Sequence, residues 1–103
     1  MELEDTISLM TSEDYVDRLK AEYYQLKIRT NKLAIMLENY KAGSLPFQPT
    51  CSYEVLHEQL VFMKAYLRIL ELRADIENIH LSPTPVLAQG YSRIDNRKGQ
   101  RAK

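Results

Sequence analysis

The apolar positions of this chain fall into two long runs of alternating three- and four-residue steps. The first is Val16, Leu19, Tyr23, Leu26, Thr30, Leu33, Leu37, Tyr40. The second is Leu56, Leu60, Met63, Leu67, Leu70, Ala74. That spacing lines one face of an α-helix as a heptad seam. Neither run contains glycine or proline. Beside each seam runs a second apolar stripe: Tyr24, Ile28 and Ile35 on the first helix, interrupted by Asn31, and Val55, Phe62, Tyr66, Ile69 and Ile76 on the second. An antiparallel hairpin buries one stripe from each helix, which leaves two stripes to be covered. The simplest cover is a second copy of the chain. The pattern therefore predicts an all-α fold, an antiparallel two-helix hairpin with a short N-terminal helix, assembling into a homo-oligomer.

The boundaries follow from caps and breakers. Thr11 and Ser12, followed by Glu13 and Asp14, form an N-terminal signature, because a hydroxyl caps free N–H groups and acids suit the helix dipole. The first helix is expected from about Ser12 or Glu13 to about Lys41, with Gly43 as a left-handed stop. Upstream, Glu2 to Met10 has room for a turn or two, with Ile7, Leu9 and Met10 packing on the hairpin. The connection, Ser44-Leu45-Pro46-Phe47-Gln48-Pro49, carries two prolines and cannot be helical throughout; Leu45 and Phe47 are expected to plug the hairpin end. Thr50 or Ser52 then caps the second helix, which should end near Asn78 to Leu81. Ser82-Pro83-Thr84-Pro85 breaks it. The chain divides into a helical hairpin domain, 1–81, and a flexible basic tail, 82–103.

Composition narrows the class. A chain of 103 residues makes one small domain. A core that small is marginal alone, and assembly is a common remedy. Fourteen basic residues balance fourteen acidic ones, but the tail after Tyr91 holds Arg93, Arg97, Lys98, Arg101 and Lys103 against Asp95. Such a tail suits an acidic partner or nucleic acid, and equally a solubilising end. With Cys51 the only cysteine, no intramolecular disulfide forms, and a reducing compartment fits. The acidic start, Met1-Glu2-Leu3-Glu4-Asp5, lacks the basic and apolar regions of a signal peptide. No apolar run approaches the ~20 residues of a spanning helix. The expectation is a soluble intracellular protein that does not enter the membrane.

A further set of residues carries a resemblance: Glu22-Tyr23, Leu26, Arg29 and Lys32-Leu33 on the first helix, Pro49-Thr50-Cys51 in the loop, then Gln59, Met63, Tyr66-Leu67, Leu70-Glu71, Arg73-Ala74 and Ile76-Glu77. From about Asp5 to Leu81 the chain resembles a family of small bacteriophage proteins of unassigned function, found in crAss-like and other gut phages. The resemblance implies a phage-encoded protein of the host cytoplasm. A looser, fold-level analogy joins it to the helical oligomers with which phages soak up cyclic nucleotides or ADP-ribose derivatives, the anti-CBASS and anti-Thoeris sponges. Their Gly-Tyr-Arg-Glu-Leu segment is absent here, so no binding residue carries over, and shared fold alone does not fix function.

The side chains favour binding over catalysis. His57 and His80 stand near opposite ends of the second helix, with no His-x-x-x-His pair to hold a metal. Cys51 precedes a helix but has no evident base, and a packing role fits it. No glycine-rich phosphate loop is present. The expectation is a non-enzymatic protein without cofactor. A nucleotide binder needs cations for phosphate and flat rings for a base. The candidates are Tyr23, Arg29 and Lys32 on the first helix and Tyr66 and Arg73 on the second, the last two on one face because seven residues separate them. The plainer account makes Arg73 an ion-pair partner of Glu22 or Glu71 and the tyrosines the edge of the core. The helices are too weakly basic to track nucleic acid, and no nucleic-acid partner is expected. Two functions stand open: sequestration of a small nucleotide immune signal as a phage anti-defence protein, or a non-enzymatic oligomeric adaptor for a host or phage protein.

Overall fold

The computed structural model describes residues 1–81. A 3-10 turn, Leu3–Thr6, runs into a single helical turn, α1, Ile7–Met10. Two long helices follow, α2, Tyr15–Ala42, and α3, Tyr53–Ile76. Among the described residues there is no strand. α2 and α3 pack along their length as the hairpin, and the N-terminal segment lies against α2.

The helix ends show why these bounds were chosen by the chain. Asp14, not Ser12, is the N-cap of α2: its Oδ1 accepts from the Val16 N–H at 3.0 Å. The Ser12 hydroxyl is engaged one step earlier, accepting from the Asp14 N–H at 3.0 Å and donating to Asp17 Oδ2 at 2.9 Å. At the other end Gly43 takes φ 75°, with its own N–H on the Tyr40 carbonyl and that of Ser44 on Asn39. This is the paired closure that a left-handed residue permits. Ser52 caps α3 through Val55. α3 stops at Ile76, two residues before the expected range, because Asn78 adopts φ 59° and makes the same closure: its N–H meets the Asp75 carbonyl, and that of Ile79 meets Ala74 at 2.8 Å. The turn sends Ile79 and Leu81 back onto the core.

The two seams meet as the spacing requires. Leu19, Tyr23, Leu37, Leu60, Leu67, Leu70 and Ala74 are buried. Thr30 sits in the seam with its hydroxyl turned to the Leu26 carbonyl at 2.7 Å, so burial leaves it satisfied. The densest packing joins Leu19, Tyr23, Tyr24, Leu67 and Leu70, with Leu9, Leu26, Ile79 and Leu81 around them.

The second stripes part company. On α2, Tyr24 and Ile28 are buried within the protomer. Gln25, between them, donates to the buried Thr6 hydroxyl at 2.9 Å, which fastens the N-terminal segment over this side of α2. Only Ile35 of that stripe stays exposed. The expectation that α2 needs a second copy as cover is corrected: the chain covers most of that stripe itself. On α3 the whole stripe is exposed, from Val55 to Ile76. Two smaller expectations also fail. Phe47 does not plug the hairpin end but is exposed, while Leu45 is half-buried; and of Ile7, Leu9 and Met10 only Leu9 packs inward. The tail from Ser82 onward lies outside the described residues.

Candidate functional site

One flank of the hairpin gathers most of the polar contacts between α2 and α3. Tyr66 donates from its hydroxyl to Glu22. Two turns along, Tyr15 Oη accepts from Arg73 Nη2 at 2.7 Å and donates to Glu77 Oε2 at 3.2 Å. The Arg73 Nε stands 4.0 Å from the same Glu77 oxygen. The rungs share one geometry. Tyr15 and Glu22 are a heptad apart on α2, Tyr66 and Arg73 a heptad apart on α3, and antiparallel helices bring such pairs into register. The next heptad position on α2 is Arg29, which the same spacing places on this flank.

The electrostatics of the flank follow from those contacts. The Arg73 pKa is raised, chiefly by its hydrogen bond and charge contact with the Tyr15 oxygen and further by Glu77 and Glu22. Its side chain keeps 42 % of its surface in water, so the guanidinium retains N–H groups for another acceptor. The Tyr66 ring is also exposed. Arg73 feels two carboxylates, Glu77 and Glu22, and Arg29 stands one heptad beyond Glu22 by spacing. A single flank is therefore a balanced ladder with free edges rather than a bare anion trap.

The other candidates fall elsewhere. Tyr23 is 3 % exposed, its ring edge-on to Tyr24 with centroids 5.7 Å apart. Its hydroxyl donates to Glu71 Oε2 at 3.2 Å on the opposite side of the seam. Burial, then the Glu71 carboxylate, push the phenol well above its ordinary range. It is a core tyrosine with one polar edge. Lys32 is exposed on α2, three residues past Arg29 and so its neighbour on the helix surface, farther out from the seam. Thus Tyr66 and Arg73 share one flank, Arg29 and Lys32 follow it along α2 by spacing, and Tyr23 is buried across the seam. Sequence reasoning missed Tyr15 as Arg73's partner and Glu77 as its counter-ion. The Arg73/Glu77 spacing of four was visible as a signal; Tyr15 was hidden by its position at a helix start.

A second cluster closes the hairpin end. Tyr40 meets Tyr53 edge-on, and Tyr53 stacks on His57 at 5.7 Å. It joins the end of α2 to the start of α3. Among the described residues no group of three or more His, Cys, Asp or Glu is placed to hold a metal, and no helix is long and apolar enough to cross a membrane.

Residues 13–76, more than half of the chain, match the family model Sequestin. No curated protein and no solved structure matches the chain. The matched span opens just before the α2 cap and ends with α3, so it contains both long helices and all of the ladder except Glu77. The chain belongs to the Sequestin family.

Proposed function

We propose that this member of the Sequestin family is a phage anti-defence protein that captures a small nucleotide signal of the host's immune response, in the host cytoplasm, and holds it without turning it over. The observation that carries the reading is the family itself, whose name denotes sequestration. The flank supplies compatible chemistry. Arg73 offers a planar fork for phosphate, and Tyr66 an exposed ring within two helical turns of it for a base. The site works between copies of the chain. Because Glu22 and Glu77 crowd Arg73 on one flank, a phosphate is held best where a second protomer excludes water and strengthens its pairing with the guanidinium.

The test is thermal-shift screening of the full chain against cyclic nucleotides and ADP-ribose derivatives. A ligand at a hundred times its dissociation constant adds roughly 2.7 kcal/mol, which for a domain this size raises the melting temperature by about 10 °C or more. The bound compound is then released by denaturation and identified by mass spectrometry. Recovery of the unaltered compound supports sequestration. Recovery of a converted product overturns the non-enzymatic reading, and the absence of any shift across the panel at millimolar ligand overturns the nucleotide reading.

A second reading has its own observation. The exposed apolar face of α3 suits a protein partner, as an adaptor would require. The two readings separate on the same screen, since an adaptor shows no ligand shift.

A further inference from the structure

The face of α3 that runs outward from the ladder flank carries Val55, Phe62, Tyr66, Ile69, Leu72 and Ile76, each with about half or more of its surface in water, up to 67 % for Phe62 and 71 % for Ile76. Val55, Phe62, Ile69 and Ile76 recur every seven residues over the whole helix, the signature of a seam made for another helix. The exposed portions of these six amount to roughly 700 Å², taking ~150–250 Å² for a large side chain. Monomers seldom leave a contiguous patch of that size in water, and a standard interface takes about 800 Å² from each partner.

We propose that this face pairs with the same face of a second copy, antiparallel, about a two-fold axis between Ala65 and Tyr66. The inference rests on the reading that the chain works as an assembly, and it names the surface and the orientation. Charge selects the orientation. Glu58 and Arg73 lie on or at the edge of the stripe and are equidistant from that midpoint. In an antiparallel pair each Glu58 meets the Arg73 of the other copy. In a parallel pair, Glu58 would face Glu58 and Arg73 would face Arg73, and like charges across a seam are disfavoured. The same axis sets Phe62 opposite Ile69 and Val55 opposite Ile76, with the small Ala65 at the crossing, where backbones approach. A face that is complementary to itself under a two-fold rotation is what an isologous dimer requires. The pairing brings both Arg73 side chains, and with them both ladders, to the rim of the shared interface.

The experiment uses the full chain. Light scattering at tens of micromolar should give twice the protomer mass. Phe62→Asp with Ile69→Asp should halve it, while circular dichroism stays helical, since both side chains are exposed in the protomer. Orientation is read by cross-linking in a Cys51→Ser background. Val55→Cys and Ile76→Cys proteins should each fail to form disulfide-linked dimers alone and should form them when mixed. A wild-type monomer, a double-aspartate variant that stays dimeric, or self-linked Val55→Cys dimers would each overturn the proposal. A wild-type monomer that dimerises only after truncation past Leu81 overturns it in favour of the chain's own C-terminal segment as the cover. Ligand retention is scored separately. A dimer that retains no nucleotide leaves this inference standing and removes the sequestration reading; a monomer that retains nucleotide does the reverse.

Discussion

Replacing Tyr23 with phenylalanine separates a core role from a ligand role for the one candidate the fold buries. The ring is 3 % exposed and wedged among Leu19, Tyr24, Leu67 and Leu70. Phenylalanine keeps that ring and its edge-on contact with Tyr24. What goes is the hydroxyl and its 3.2 Å bond to Glu71. Hydrogen bonds to charged groups contribute about 1.5–3 kcal/mol when both partners are dry. Glu71 is only half-buried, so water repairs part of the loss, and the cost should fall near 1 kcal/mol. For a domain of this size that lowers the melting temperature by about 4–8 °C. Ionisation gives a second readout. The folded phenol has a raised pKa, so the unfolded chain gives up this proton first. The stabilisation is complete below the ordinary tyrosine value near pH 10 and declines as pH climbs toward the folded value. Tyr23→Phe should accordingly flatten the fall in stability above pH 10, relative to the parent, by one group's share. Calorimetric melts across pH 7–11, with ligand retention measured in parallel, decide it. An unchanged melting temperature together with lost retention would refute the argument and make Tyr23 a binding residue.

Other expectations follow from the same contacts. Arg73→Ala should leave the melting temperature little changed, because its Glu77 ion pair is exposed, and should leave the dimer standing on its apolar seam without the Glu58 pairing, yet abolish nucleotide retention; loss of the dimer with no ligand ever found would hand the residue to the interface and favour the adaptor. Asp14→Ala removes the α2 cap and should cost about 1 kcal/mol in denaturant melts, whereas Ser12→Ala costs less if Asp14 is the true cap. Truncation after Leu81 should leave stability nearly intact, while truncation after Glu77 should lower it sharply by removing Ile79 and Leu81 from the core; equal melting temperatures for the two would refute the folded-back C-terminus.

The seam positions were legible because a helix repeats every 3.6 residues and the apolar pattern is strict on both. From it came the hairpin and the buried Leu19, Leu67 and Leu70; the left-handed stop at Gly43 came from glycine itself. Asn78 stood at the near edge of the expected helix end, but its left-handed closure was not legible, because asparagine enters that region only where neighbours reward it, here by docking Ile79. The ladder was half visible: heptad spacing joined Tyr66 to Arg73, but only the packed register could say that Tyr15 and Glu22 face them and that Tyr23, one residue from Glu22, points across the seam to Glu71. The excess apolar surface was read correctly and allotted too simply. Periodicity reports how much face a helix must hide, not what hides it. Local sequence thus determined the elements and their inward faces. Tertiary structure decided that the N-terminal segment takes the second stripe of α2 and that α3 keeps its own, because covering a stripe depends on contacts between segments far apart in the chain.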